Sequence, residues 1–180
     1  MTQETASVSC ASPQEIFKDS ITEISRQLVM PFTLDLCICT PTPERVKEML
    51  ETMATFIDGI PSTDEIHTDI YYATGIFNHA IFLLLALQNA KSPIYNPAEF
   101  SIAIMHNIIN LLVKKNHDYG NSFGNQLARR GSIVFAIRME DKVSRLRTLI
   151  NEEAQVKDES IFDTLNDIIG YCILFLHHTK

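Results

Sequence analysis

Apolar residues recur every three or four positions over six stretches of the chain, the spacing of helices that bury one face. In 13–29 the apolar positions are Ile16, Phe17, Ile21, Ile24 and Leu28. Residues 40–59 carry helix signals at both ends: Thr42 as N-cap, Pro43 and Glu44 in the first turn, and Gly59 at the close. Residues 62–90 open on Ser62 and Glu65 at capping-box spacing and then become apolar nearly all round, which predicts a central helix. Asn96 and Pro97 start a further helix that stops at Gly120. After a Gly-rich link, 130–150 and 158–178 complete the set. Only 31–39 departs from this period. There Phe32, Leu34, Leu36 and Ile38 alternate with Thr33, Asp35, Cys37 and Cys39, and a lone strand of this kind lacks a partner. The expected fold is all-α: a bundle of five to six helices with at most one short extended segment near 32–39.

Composition adds limits to this picture. A chain of 180 residues, 46% hydrophobic, can bury roughly two thirds of its unfolded surface without disulfides or a structural metal. The expected organisation is one compact domain. Within it, 1–95 would be a helical region serving as cover or oligomer contact, and 96–180 would hold the functional site. The cysteines (Cys10, Cys37, Cys39 and Cys172) show no CxxC spacing, and reduced thiols of a cytoplasmic protein are expected. The longest apolar run, 80–87, is far shorter than the roughly 20 residues of a membrane span. The N-terminus shows neither the basic nor the apolar region of a signal peptide.

Net charge is −7, which argues against a polymeric nucleic acid as partner. The balance is uneven, however: residues 96–180 hold 10 bases and 10 acids, interleaved on helices, a pattern suited to a small phosphorylated ligand with a bridging cation. On the last helix Glu159, Asp163 and Asp167 recur every four residues, with Tyr171 continuing the row. Like charges at this spacing disfavour a helix unless a cation or basic side chains face them. A capping role accounts for Glu159 but not for Asp167. On the preceding helix Arg138, Asp141 and Arg145 share one sector, flanked by Glu140 and Arg147. Their bland reading is a solvated ion-pair ladder. A short connection makes the two helices antiparallel neighbours, so the rows can face each other across a cleft. Facing carboxylates would hold Mg²⁺ or Mn²⁺, and Lys142 with the arginines would grip phosphate oxygens. A polar seam of Asn107, Asn110, Lys114 and Asp118 leads to the turn that presents Tyr119 and Phe123. His79 and His106 are read as core histidines.

Three blocks, KNHDYGNSF (115–123), RGSIVFAIRMEDKVSRL (130–146) and VKDESIFDTLNDIIGYCIL (156–174), together resemble the nucleotide modification associated domain of the first type, found in phages and prophages. The resemblance spans about residues 105–178 and implies nucleotide chemistry, in host cytoplasm if the chain is phage-encoded. A more distant similarity is to MazG-like all-α nucleoside triphosphate pyrophosphohydrolases, which implies a Mg²⁺ site and a homodimer or tetramer. Asp167 matches the last acid of that family's E-x-x-D helix, but Thr164 stands where the glutamate belongs.

Three functions fit. A metal-dependent nucleotide pyrophosphohydrolase would use Asp141, Asp163 and Asp167 as catalytic acids, with Glu140 and Glu159 completing the metal set. Asn110, Lys114, Asp118, Tyr119, Phe123, Arg138, Lys142, Arg145 and Tyr171 would hold the nucleotide. A protein that sequesters a nucleotide, such as a defence signal, would use the same cleft without turnover. An oligomeric helical scaffold would use none of it.

Overall fold

The computed structural model describes residues 11–29, 42–60, 66–150 and 160–179. Among these the fold is all-helical, with seven helices: α1 (Pro13–Val29), α2 (Pro43–Gly59), α3 (Ile66–Lys91), α4 (Pro97–Asp118), α5 (Ser122–Arg130), α6 (Ile133–Leu149) and α7 (Ile161–His178). The extended segment expected at 32–39 and the capping box at Ser62 and Glu65 lie outside the described residues.

The start signals of α2 and α4 operate as their sequences indicate. Thr42 Oγ1 accepts from Arg45 N at 3.3 Å, and Asn96 Oδ1 accepts from Glu99 N at 3.2 Å. The last helix starts differently. Its N-cap is Ser160, and the box closes on Asp163, whose carboxylate accepts from Ser160 N at 3.0 Å while Asp163 N donates back to Ser160 Oγ at 3.2 Å. The one helix beyond the expected five or six is α5, in the stretch expected to be a Gly-rich link. Gly120 (φ +58°) and Asn121 (φ +53°) turn the chain in the left-handed region, and the helix then resumes. Gly124 does not break it, because Phe123 and Leu127, four residues apart on one face, are buried and anchor it.

α3 and α7 form the middle of the molecule. By length and composition α3 alone among the described residues could cross a membrane. Here it is a core helix, with Ala73, Ile76, Phe77, Ala80 and Leu83 fully buried. α7 packs on α1, α3, α4, α5 and α6. Phe135 of α6 stacks on Phe175 of α7 with ring centroids 4.4 Å apart, and further along α6 Lys142 meets Asp167, earlier on α7. The two helices therefore run antiparallel, as their short connection requires. Burying such large side chains is what holds the bundle: truncating a buried Phe costs about 3–5 kcal/mol. At the crossing of α7 with α4, Gly170 lets the Leu112 side chain approach to where a Cβ would stand 2.9 Å from Leu112 Cδ2. Three residues before the end of α4, Lys115 meets Asp167 in the first half of α7, which Lys142 of α6 also reaches.

Candidate functional site

Consecutive helices α3 and α4 do not pack closely on one another, and both line a cavity of about 630 Å³ whose remaining walls are α5, α6 and α7. That volume lies within the range of small-molecule sites. Most of the wall is apolar: Leu84 of α3, Phe100, Ile104, Ile108 and Leu111 of α4, and Phe162 and Leu174 of α7. Three further aromatic residues, Tyr119, Phe123 and Tyr171, complete the lining, with Phe123 and Tyr171 in contact at 5.3 Å between centroids. Lys91 Nζ lies 4.2 Å above the Phe162 ring. Carboxamides of Gln88, Asn107, Asn116 and Asn166 interrupt the apolar wall and offer both donors and acceptors.

Charge is concentrated where α4 meets α7. Lys115 Nζ donates to Asp167 Oδ1 at 3.0 Å, and Lys142 Nζ donates to Asp167 Oδ2 at 2.9 Å. Lys115 and Asp167 line the cavity, as does Arg138, one turn before Lys142 on the same face of α6. Burial pushes the Asp167 carboxyl up. The hydrogen bonds from Lys142 and Lys115 and their two positive charges outweigh burial, and its pKa lies below the usual carboxylate value. Asp167 is therefore an anion at neutral pH, held by cations from two different helices.

The facing-row expectation brings some residues together and leaves others apart. Lys142 and Asp167 meet, and Arg138, Tyr119, Phe123 and Tyr171 stand at the cavity wall. Asp141 is exposed, about 100° around α6 from Lys142, and Glu140 is exposed on the opposite flank. Asp163 is exposed and serves the capping box of α7. Glu159 lies outside the described residues. Arg145 is half-buried beside the same α6 face but does not line the cavity. Asn110 is half-buried away from the lining, and Asp118 is exposed and pairs with His117 at 3.1 Å. Lys114 is exposed as well. Of the polar seam on α4 only Asn107 meets the cavity; further along, Lys115 stands at the wall instead of Lys114.

Lys115, Asn116 and Asn166 belong to the wall without having been singled out from the sequence. A signal for two of them was present, since the KNHDYG block begins at Lys115 and Asn116. The acids also bear on the expected Mg²⁺ or Mn²⁺. Both oxygens of Asp167 accept from lysines, and among the described residues no three Asp, Glu, His or Cys side chains form a group able to hold a metal.

Residues 115–178 match the family model described as Nucleotide modification associated domain 1. This is the family that the three sequence blocks resemble, over a slightly shorter stretch than 105–178, and it covers the end of α4 with α5, α6 and α7. No curated protein matches the chain, and no solved structure matches it.

Proposed function

We propose that the cavity binds a small nucleotide and retains it without a metal centre of the protein's own. One observation carries this reading: a large aromatic cavity is lined by a carboxylate, Asp167, that two lysines hold, and by an arginine, Arg138. A nucleobase suits the aromatic part, because stacking is available on any of its rings, and the carboxamides can hydrogen-bond the base edge. The phosphate suits the charged end. Arg138 offers a planar fork for phosphate oxygens, and Lys115 and Lys142 offer point charges. Residues 115–178, which match the nucleotide-associated family, contribute every charged group of this end.

Hydrolysis is the second reading, favoured by Asp167 being the carboxylate at the wall among the described lining residues. A Mg²⁺- or Mn²⁺-dependent reaction at phosphorus would have to draw Asp167 away from its lysines. The homodimer or tetramer implied by the resemblance stays part of the proposal, and sedimentation equilibrium tests it.

A thermal-shift panel of nucleotides and cyclic dinucleotides, with and without Mg²⁺, tests the site. Chromatography of the ligand recovered from denatured complex then separates the readings. Stabilisation by a nucleotide that is recovered intact supports retention. Turnover abolished by EDTA and by Asp167→Asn supports hydrolysis. No shift with any nucleotide overturns both.

A further inference from the structure

We infer that the ligand is a nucleoside monophosphate, recognised as a phosphate dianion, in preference to a di- or triphosphate. The inference rests on the nucleotide reading above and follows from charge balance at the polar end. Lys115 and Lys142 bond the two oxygens of one anion, Asp167, and Arg138 lines the same cavity one turn before Lys142, so these four groups carry two net positive charges. A phosphate monoester carries about −1.5 to −2 at neutral pH, which this cluster neutralises. Longer polyphosphates carry further charge. Among the described residues Lys115 and Arg138 are the Lys and Arg side chains that line the cavity, Lys142 joins them through Asp167, and Lys91 stands apart from this cluster, over the Phe162 ring. Lys114 is exposed outside it, and Arg145 lies beyond the lining.

Asp167 sets this selectivity as well as holding the lysines. Its oxygens lie 3.0 and 2.9 Å from the two ammonium groups, so it cancels one of the three positive charges at the place where a phosphate would enter. The depressed carboxyl pKa keeps that cancellation in force throughout the neutral range. A phosphate that takes hydrogen bonds from the outer sides of the same ammonium groups meets a site already partly neutralised. It gains most when its own charge equals what is left. Each excess negative charge instead meets Asp167 without a matching cation, and like charges in a partly buried site repel.

Calorimetry in EDTA at low salt tests this with the 2′-deoxynucleoside and its 5′-mono-, di- and triphosphates for each of the four bases. The monophosphate of the preferred base is expected to bind at least about tenfold more tightly than its nucleoside and its triphosphate, a 1.4 kcal/mol difference. Asp167→Asn, checked for a cooperative melt, raises the net charge by one and is expected to move the optimum to the diphosphate. A triphosphate bound more tightly than the monophosphate by the unaltered protein overturns the inference and leaves the nucleotide reading in place. A ranking unchanged by Asp167→Asn overturns the role of that carboxylate. If no member of the four series binds, the nucleotide reading itself fails.

Discussion

Lys142 of α6 and Asp167 of α7 meet across 2.9 Å, and Lys115 of α4 reaches the other oxygen of the same carboxylate at 3.0 Å. One acid thereby joins three helices at the wall of the cavity. The site is partly open, with side-chain exposures of 21%, 28% and 44% for Lys142, Asp167 and Lys115. Solvent screening keeps the expected cost of Asp167→Asn to about 1 kcal/mol. Because the folded-state pKa is depressed below the ordinary 3.8, this stabilisation is present above that value and is lost as pH falls through the folded value. Urea melts of the two proteins should differ by a constant amount at neutral pH and converge below pH 3.8. A gap that persists in strong acid would contradict the ion pair.

The capping box assigns Asp163 to stability and not to the ligand. Asp163→Ala and Ser160→Ala each remove a partner for orphan N–H groups of α7 and should cost about 1 kcal/mol. The ligand-induced rise in melting temperature should equal that of the unaltered protein. A variant that melts normally but no longer responds to nucleotide would return Asp163 to the binding machinery.

How far the sequence revealed this arrangement depends on the residue. Helix starts at Thr42 and Asn96 were legible because a cap is a local event, decided by one side chain and a backbone group three residues on. The same local rule, applied to Ser160 and Asp163, explains one acid of the α7 row, whereas the four-residue period treats all its acids alike. α5 was hidden because Gly120 before it and Gly124 within it resemble a break. Gly124 serves close packing, and that depends on a ring fifty-four residues later in the chain. Asp167 stood out as an unexplained anion, whereas its partner Lys115 could be told from Lys114 only by the angle at which α4 crosses α7. That angle is a tertiary property, set by Leu112 on Gly170.

Gly124 tests the seat of α5. A Cβ there would collide with His178 Cε1 and Nε2 and stand 2.7 Å from Asn121 Oδ1. Gly124→Ala should therefore destabilise by about 1–3 kcal/mol, as overpacking does, despite the better helix propensity of alanine. Denaturant melts measure it, and an unchanged or raised midpoint would contradict the packing.

Burial and the neighbouring His177 lower the pKa of His178 below the ordinary 6.5. The neutral ring is the form that fits. Its contribution is present above the unfolded value of 6.5 and is lost as pH falls through the lower folded value. Stability of the unaltered protein should decline with acidity in that window, and His178→Gln, which has no proton to gain there, should flatten the profile. Parallel profiles for the two proteins would contradict this assignment.

The most direct test of the nucleotide site is a crystal structure of the protein with the monophosphate that stabilises it most. The account predicts the base between the aromatic walls of the cavity and phosphate oxygens within hydrogen-bonding distance of Lys115 Nζ and Lys142 Nζ. Density for the nucleotide elsewhere on the molecule, with Lys115 and Lys142 still closed on Asp167 and the cavity filled by a helix of a second copy, would contradict it.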